Sequence, residues 1–533
     1  MSSTSLARAV VEALLRAGVR HAVLAPGSRN APLSFALYDA AAAGALTLHT
    51  RIDERTAAFL ALGLAKSSHR PAAVVTTSGT AAANLHPAVM EAAHTGLPLV
   101  AVTADRPARL RGTMANQTTD QVGLFGSAAV TASDVVEAAD IAEGLAGLSR
   151  GPVHLNVQLD DPLVPADHAR PLVGEAESIE PEAAADTLVL EPGPATVVVA
   201  GDDAGPAARL LAEAGGWPLL AEPTSGARNG SHVVRTYRLL LGTPLADRIE
   251  RVVVFGSPTL SRPVQRLLAR DGLEVVARRT RGRWADRPHP VTREHAGDLA
   301  VAAADDGSWL EEWRVADRAV SADLDALVAA EPELTPYDVA AAVNAALPAG
   351  GLLHVGASNP IRDLDLMARP YPVGERRLVI ANRGLAGIDG TLSTAIGAAL
   401  GRPHSTRALV HVGDVTFLHD LTGLVIGPDE ARPDLTIVVV NDNGGSIFAT
   451  LEQGAAEHAE PFDKLFGTPH GVDLAAVCTG LHVPHWRVHD RAELEHALAN
   501  PNGGIEVVEA VVRRDNRRVL DERIRSLARP GLT

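Results

Sequence analysis

Short apolar runs closed by small polar residues recur along the chain. The first portion carries HAVLAP (21–26), ALTLHT (45–50), PAAVVTT (71–77), LPLVAVTA (97–104) and PVHLNV (152–157), with stretches of helical periodicity between them. A second carries ATVVVAGDD (195–203) and RVVVFGS (251–257). A third carries GLLHVGASNP (351–360), RLVIANRG (377–384), ALVHVGDVTFLHD (408–420) and LTIVVVNDNGG (435–445). Runs this short, rich in Val and Ile and followed by turn residues, predict buried strands. Their alternation with helix-length segments predicts βα repeats around parallel sheets. At the N-terminus, Leu6, Val10, Val11 and Leu14 fall at helical spacing with Arg8 and Arg16 between them, which predicts a helix and not a signal peptide.

The expected fold class is α/β, as three domains with central parallel sheets spanning 1–175, 190–335 and 340–533. A stretch rich in Pro, Glu and Ala, about 162–193, reads as a linker. A polar, acidic helical stretch, about 303–345, precedes the third portion. The first and third portions are alike: both are rich in βα repeats and both place polar clusters after strands. That likeness predicts two related domains flanking a third. The residues are 46% hydrophobic but only 3% aromatic, so the cores must be built from Ala, Val and Leu. A net charge of −16 argues against a nucleic-acid partner, which would need a basic face. The single cysteine, Cys478, excludes an intrachain disulfide and a multi-cysteine metal site. No apolar run reaches the length of a membrane span, so a soluble cytoplasmic protein is expected.

The chain has no Gly-X-Gly and no Gly-Lys-Ser/Thr, so the dinucleotide fingerprint and the P-loop are both missing. The stretch VVTTSGTAAANL (74–85) is a strand, a turn at Ser78-Gly79 and a helix start, which suits an anion at the helix N-terminus but also describes many ordinary βα turns. Gly413-Asp414 and Asn441-Asp442-Asn443-Gly444-Gly445 each follow a predicted strand, and either alone reads as a turn. Together they say more. Asp414 and Asn441 are 27 residues apart, a separation that in a βαβ unit brings two strand ends to one sheet edge. Their oxygens are hard ligands, suited to Mg²⁺ or Ca²⁺ over Zn²⁺, and phosphate oxygens and water complete such a shell. Gly444 and Gly445 would let the backbone approach a phosphate closely.

This spacing resembles the metal-diphosphate motif of thiamine-diphosphate (ThDP) enzymes. The resemblance implies Mg²⁺ (or Mn²⁺, which the same oxygens accept) held by Asp414, Asn441 and the carbonyl of Asn443, with Gly413, Gly444 and Gly445 around the diphosphate. It also implies a glutamate against the aminopyrimidine ring, and HTRIDERTAAFLALGLAK (49–66) is similar to that site with Glu54 in place. A carboxyl at the ring nitrogen favours the imino tautomer whose nitrogen removes the C2 proton. Taken alone, Asp53-Glu54-Arg55 reads as a charged helix start stabilised by the helix dipole.

APGSRNAPL (25–33), TADRP (103–107), ANQ (115–117), ASNPIRD (357–363) and NRGLAGIDG (382–390) narrow the resemblance. They look like the 2-succinyl-5-enolpyruvyl-6-hydroxy-3-cyclohexene-1-carboxylate (SEPHCHC) synthase family of menaquinone biosynthesis, across nearly the whole chain. The resemblance implies decarboxylation of 2-oxoglutarate and addition of the succinyl-semialdehyde carbanion to isochorismate. It implies the domain order pyrimidine-binding, central, diphosphate-binding, and a homodimer or dimer of dimers with shared sites. It places Ser28, Arg29, Arg106 and Gln117 on the acceptor side, and Ser358, Arg362 and Arg383 against substrate carboxylates, which guanidinium groups match bidentately. It puts Ser78 and Gly79 at the cofactor, Ile388 beneath its bend, and Ile447 and Phe448 as apolar walls. A basic residue of the central domain, Arg279 or a neighbour in RRTRGR (278–283), is expected near the pocket. Asp442 stands where the family commonly has Asn. His419-Asp420 is expected to support its loop and not to relay protons. Related readings are a simple 2-oxoacid decarboxylase, although no His-His pair occurs, an acetolactate synthase, and a catalytically silent ThDP sensor.

Overall fold

The computed structural model describes residues 1–169, 171, 186–284 and 286–528. The first sheet holds β1 (His21–Leu24), β2 (Thr47–Thr50), β3 (Ala72–Thr76), β4 (Leu99–Asp105), β5 (Thr131–Val135) and β6 (Val153–Gln158). The middle portion holds β7 (Leu188–Leu190), β8 (Thr196–Ala200), β9 (Leu219–Ala221), β10 (Arg251–Phe255), β11 (Glu274–Arg278), β12 (Arg293–His295) and β13 (Leu299–Val301). The last sheet holds β14 (Leu352–Val355), β15 (Leu378–Ile380), β16 (Ala408–Gly413), β17 (Leu435–Asn441), β18 (His485–Val488) and β19 (Ile505–Val511). Every pairing between these strands is parallel. Parallel sheets covered by helices bury both faces, which is why β3, β4, β8 and β10 are buried at every residue and read as unbroken apolar runs.

The outer sheets share one topology. The first runs β2-β1-β3-β4-β6-β5 and the last β15-β14-β16-β17-β19-β18, the same permutation. In each, the strand order reverses beside the first strand, so a crevice opens between the loops that leave the first and third strands. The middle sheet, β12-β11-β10-β8-β9, reverses between β8 and β10. There the crevice is closed by backbone: Asp202 and Ser257 form a bridge, and a Cβ on Gly201 would collide with Pro258. The stretch expected to be a linker at about 162–193 falls partly outside the described residues. Within them it contains β7, which pairs with β13.

The outer sheets are joined through the helices Glu54–Ser68 and Thr391–Gly401. Buried residues of both, from Phe59 and Leu60 to Leu392 and Ile396, belong to one apolar core that runs from Val23 to Val507. The helices touch backbone to backbone. A Cβ on Gly63 would collide with the Thr394 carbonyl oxygen, and one on Gly397 with that of Leu60. Polar contacts pin the same seam: Lys66 Nζ donates to Ala381 O (2.5 Å) and Thr422 Oγ1 to Asp53 Oδ2 (2.9 Å). No helix among the described residues is long and apolar enough to cross a membrane.

Gly63→Ala should therefore destabilise the protein by about 1–3 kcal/mol, because overpacking at the helix contact outweighs the roughly 1 kcal/mol gain in helix propensity. A denaturant midpoint equal to or above that of the wild type would show that this glycine does not set the helix separation.

Candidate active site

At the C-terminal edge of the last sheet, β16 and β17 are neighbours, with Gly413 in register with Val440. Gly413 ends the strand and Asp414 begins the helix Asp414–His419, where its carboxylate faces the helix N-terminus. Asp414 is buried; Oδ1 accepts from Val415 N (2.7 Å) and Oδ2 from Gly444 N (2.9 Å), so the two loops are in direct contact. Asn441 closes β17, and its Oδ1 accepts from Asn443 N (3.0 Å). Asn443 has φ 59°, a left-handed conformation that its short amide side chain tolerates. One carboxylate, one amide oxygen and one backbone carbonyl therefore stand on two touching loops, a donor set for a hard divalent cation. Burial, and then the Asp414 carboxylate, push Asp442 up to about 7. Gly444 and Gly445 are approached by the chain's own backbone: Gly445 N donates to Gly467 O (2.7 Å), and a Cβ on Gly444 would collide with that oxygen.

The loops after β14 and β15 bring further groups to this edge. Ser358, with φ 71°, precedes the helix Asn359–Met367, and its carbonyl accepts from Arg362 Nη1 (2.5 Å). Burial and the neighbouring Arg383 and Arg238 cations hold Arg362 below its ordinary pKa. Arg383 is 5% exposed; Nη2 donates to Thr259 Oγ1 (2.8 Å), while Nε is buried without a partner among the described residues. Two crowded guanidinium groups, with Asp363 near Arg362 and Glu222 near Arg383, suit an incoming anion. Ile388 is half-buried in the loop before Thr391, and Asn359 Nδ2 donates to Ser446 Oγ (2.9 Å), tying the loop after β14 to the one after β17. Ile447 and Phe448 are half-buried, and Phe448 packs against Phe466 with ring centroids 5.6 Å apart.

The first sheet presents the corresponding loops. Gly27, after β1, lies so close to Thr77, after β3, that a Cβ would collide. Ser28 is exposed there, and Arg29 Nη1 donates to Leu159 O (3.1 Å). Burial and the nearby Arg106 cation lower the pKa of Arg29. Arg106, after β4, donates from Nε to Asn116 O (2.7 Å). Ser78 and Gln117 are doubly joined: Ser78 Oγ to Gln117 O and Gln117 Nε2 to Ser78 O, both 2.8 Å. Gly79 N donates to Gln121 Oε1 (3.0 Å). Glu54 is the first residue of its helix, half-buried and without a hydrogen-bond partner among the described residues. No hydrogen bond joins it to Asp414, Asn441 or Asn443 within the chain.

Several residues at the site carry no sequence motif. Glu91, on the helix His86–Thr95, accepts from Gly384 N (2.7 Å) and Leu385 N (2.8 Å), so the first portion holds the loop that carries Arg383 and Ile388. His470 Nε2 lies 3.1 Å from Asp414 Oδ2. Glu509, on β19, is buried, which pushes its pKa up, but hydrogen bonds from His485, Asn441 and Arg487 hold it at about 2. The strand IEVVEAV carries two glutamates, Glu506 and Glu509, inside an apolar run, and nothing else in the sequence singles Glu509 out. Asp420 accepts from Ser393 N (2.7 Å) and Ser393 Oγ (3.0 Å), capping the helix Thr391–Gly401, while His419 is exposed. The basic run 278–283 packs on the first portion beside His94, which also adjoins Gly384. Arg279 pairs with Glu294 at 3.6 Å, Arg283 N donates to Ala93 O (2.9 Å), and Trp284 stacks edge-on against His94.

Comparison with known proteins agrees with this geometry. Residues 4–124 match the family described as "Thiamine pyrophosphate enzyme, N-terminal TPP binding domain", and residues 365–508 match "Thiamine pyrophosphate enzyme, C-terminal TPP binding domain". A SEPHCHC synthase of Nocardioides sp. is 66% identical over 534 residues, covering 99% of this chain and 98% of the relative. Those of Kineococcus radiotolerans and Saccharopolyspora erythraea are 47% and 44% identical, each covering 99% of both chains. The chain belongs to the 2-succinyl-5-enolpyruvyl-6-hydroxy-3-cyclohexene-1-carboxylate synthase family, thiamine-pyrophosphate enzymes that act as transferases.

Proposed function

We propose that this protein decarboxylates 2-oxoglutarate and adds the succinyl-semialdehyde unit to isochorismate, releasing CO₂ and SEPHCHC in menaquinone biosynthesis. The observation that carries this reading is the contact of Asp414 with the Asn441–Gly444 loop, beside the Arg362–Arg383 pair. In this reading Asp414, Asn441 and the Asn443 carbonyl hold Mg²⁺ or Mn²⁺ against the diphosphate. Bound ThDP supplies the carbon nucleophile for the 2-oxo group and the sink for the electrons that CO₂ leaves behind.

The chain's own groups do the rest. The Glu54 carboxyl would hold the aminopyrimidine nitrogen of bound ThDP and favour its imino tautomer. Glu54 is half-buried at the start of its helix, and in this reading the site is completed by a second subunit, in a homodimer or dimer of dimers. Ile388, Ile447 and Phe448 wall the pocket and exclude water, and Ser78 and Gly79 line the cofactor side. Arg362 and Arg383, with Ser358, bind substrate carboxylates, and the crowding of the two cations is relieved when an anion enters. Ser28, Arg29, Arg106 and Gln117 receive isochorismate on the first-sheet side. The protein works in the cytoplasm, with 1–175, 190–335 and 340–533 as its folding units.

The decisive assay gives purified protein ThDP, Mg²⁺ and 2-oxoglutarate, with and without isochorismate. Isochorismate loss and CO₂ release at matched, ThDP-dependent rates are expected; CO₂ without isochorismate loss would make the protein a simple decarboxylase. Glu54→Gln should keep the fold and lower kcat by about a hundredfold or more; near-normal turnover would refute the tautomer role. Asp414→Ala should weaken metal-dependent ThDP binding in calorimetry, and unchanged affinity would remove the clamp.

A further inference from the structure

Glu509 makes three contacts at the foot of the cation-ligand set. It is 2% exposed on β19, in register beside the C-terminal end of β17. Its Oε1 accepts from Asn441 Nδ2 at 2.6 Å. Its Oε2 accepts from His485 Nε2 at 2.8 Å and from Arg487 Nε at 3.0 Å. His485 and Arg487 both lie on β18, the edge strand beyond β19. The carboxylate is therefore gripped from one side and faces Asn441 with the other.

An amide has two ends of similar shape and opposite sense, and its neighbours decide which way it points. Here both neighbours give the same answer. A carboxylate only accepts, so the end of Asn441 facing Glu509 must be NH₂. The Asn443 backbone N–H only donates, so the end facing it, at 3.0 Å, must be the oxygen. The geometry points to Glu509 as the positioning residue that fixes the Asn441 amide with its oxygen toward the cation site. This inference rests on the reading of Asp414, Asn441 and Asn443 as cation ligands. With the amide reversed, an NH₂ group would face the cation and that ligand would be lost. Carboxylates behind a ligand commonly govern metal affinity in this way.

The chemistry predicts a rescue. In Glu509→Gln the oxygen stays with His485 and Arg487, and the new NH₂ faces Asn441. Two NH₂ groups then meet, and Asn441 turns its oxygen inward. Replacing Asn441 by Asp as well restores a full set of partners. One oxygen of the new carboxylate accepts from the amide introduced at position 509, and the other faces Asn443 N–H and the cation.

The test titrates full-length protein, in the presence of ThDP, with Mn²⁺ and follows free Mn²⁺ by electron paramagnetic resonance, with the thermal midpoint as a check on folding. Glu509→Gln should bind Mn²⁺ about tenfold or more weakly. The double variant Glu509→Gln/Asn441→Asp should recover most of that loss. Wild-type affinity in Glu509→Gln, or a folded double variant no better than the single one, would overturn the positioning role. If Glu509→Gln does not fold, the double variant is compared with Asn441→Asp alone, where two carboxylates meet: tighter Mn²⁺ binding in the double variant supports the role, and equal or weaker binding refutes it. Asp414→Ala separates the two levels. Mn²⁺ binding unchanged in that variant removes the ligand set itself, whereas loss there with retention in Glu509→Gln removes only the role of Glu509.

Discussion

The site depends on two helices that touch through glycine. Gly63 and Gly397 let the helices Glu54–Ser68 and Thr391–Gly401 approach until each backbone meets the other's carbonyls. That contact lies inside the core shared by the outer sheets, so neither sheet can tilt without opening it. It also sets where the first helix begins. Glu54 is its first residue and Asp53, its cap, is bonded to Thr422 of the last portion. The buried Glu91 and the half-buried Lys66 extend the same seam to the loop bearing Arg383 and Ile388.

Two sheets of one topology carry complementary chemistry at equivalent places. After the third strand, the first sheet has Ser78-Gly79 and the last has Asp414. After the fourth, the first has Arg106 and the last has Asn441 to Asn443. One sheet thus offers cations, the other oxygens for a cation, with Arg362 and Arg383 at its rim. The middle sheet, with its crevice closed by Asp202 and Ser257, offers a support: Thr259 holds Arg383.

Buried strands were legible because parallel sheets demand apolar residues on both faces. β3, β4, β8, β10, β16 and β17 all stand where unbroken Val-rich runs stand in the sequence. β5 (TASDV) and β18 (HWRV) are partly exposed, and so carry polar residues that break the run. β19 is buried, yet Glu506 and Glu509 interrupt its apolar pattern because each answers a polar partner: Thr436 for one, and Asn441, His485 and Arg487 for the other. The resemblance put the basic run at 278–283 near the pocket without placing its residues one by one. Its seat against Ala93 and His94 is a matter of how the middle portion packs on the first.

Sequence by itself determined the fold class, the parallel sheets, and the residue types at the ends of the strands. Local spacing suffices for these, since a strand and the loop that leaves it are contiguous in the chain. It also determined the family, through motifs in the first and third portions. Tertiary structure alone decided that the middle crevice is shut. It alone decided that Glu91 serves Gly384, 293 positions away, and that Glu509 serves Asn441, 68 positions away. It also left Glu54 without a hydrogen-bond partner among the described residues of its own chain. Those facts arise from packing between distant elements, where a buried polar group must find a partner wherever the fold provides one.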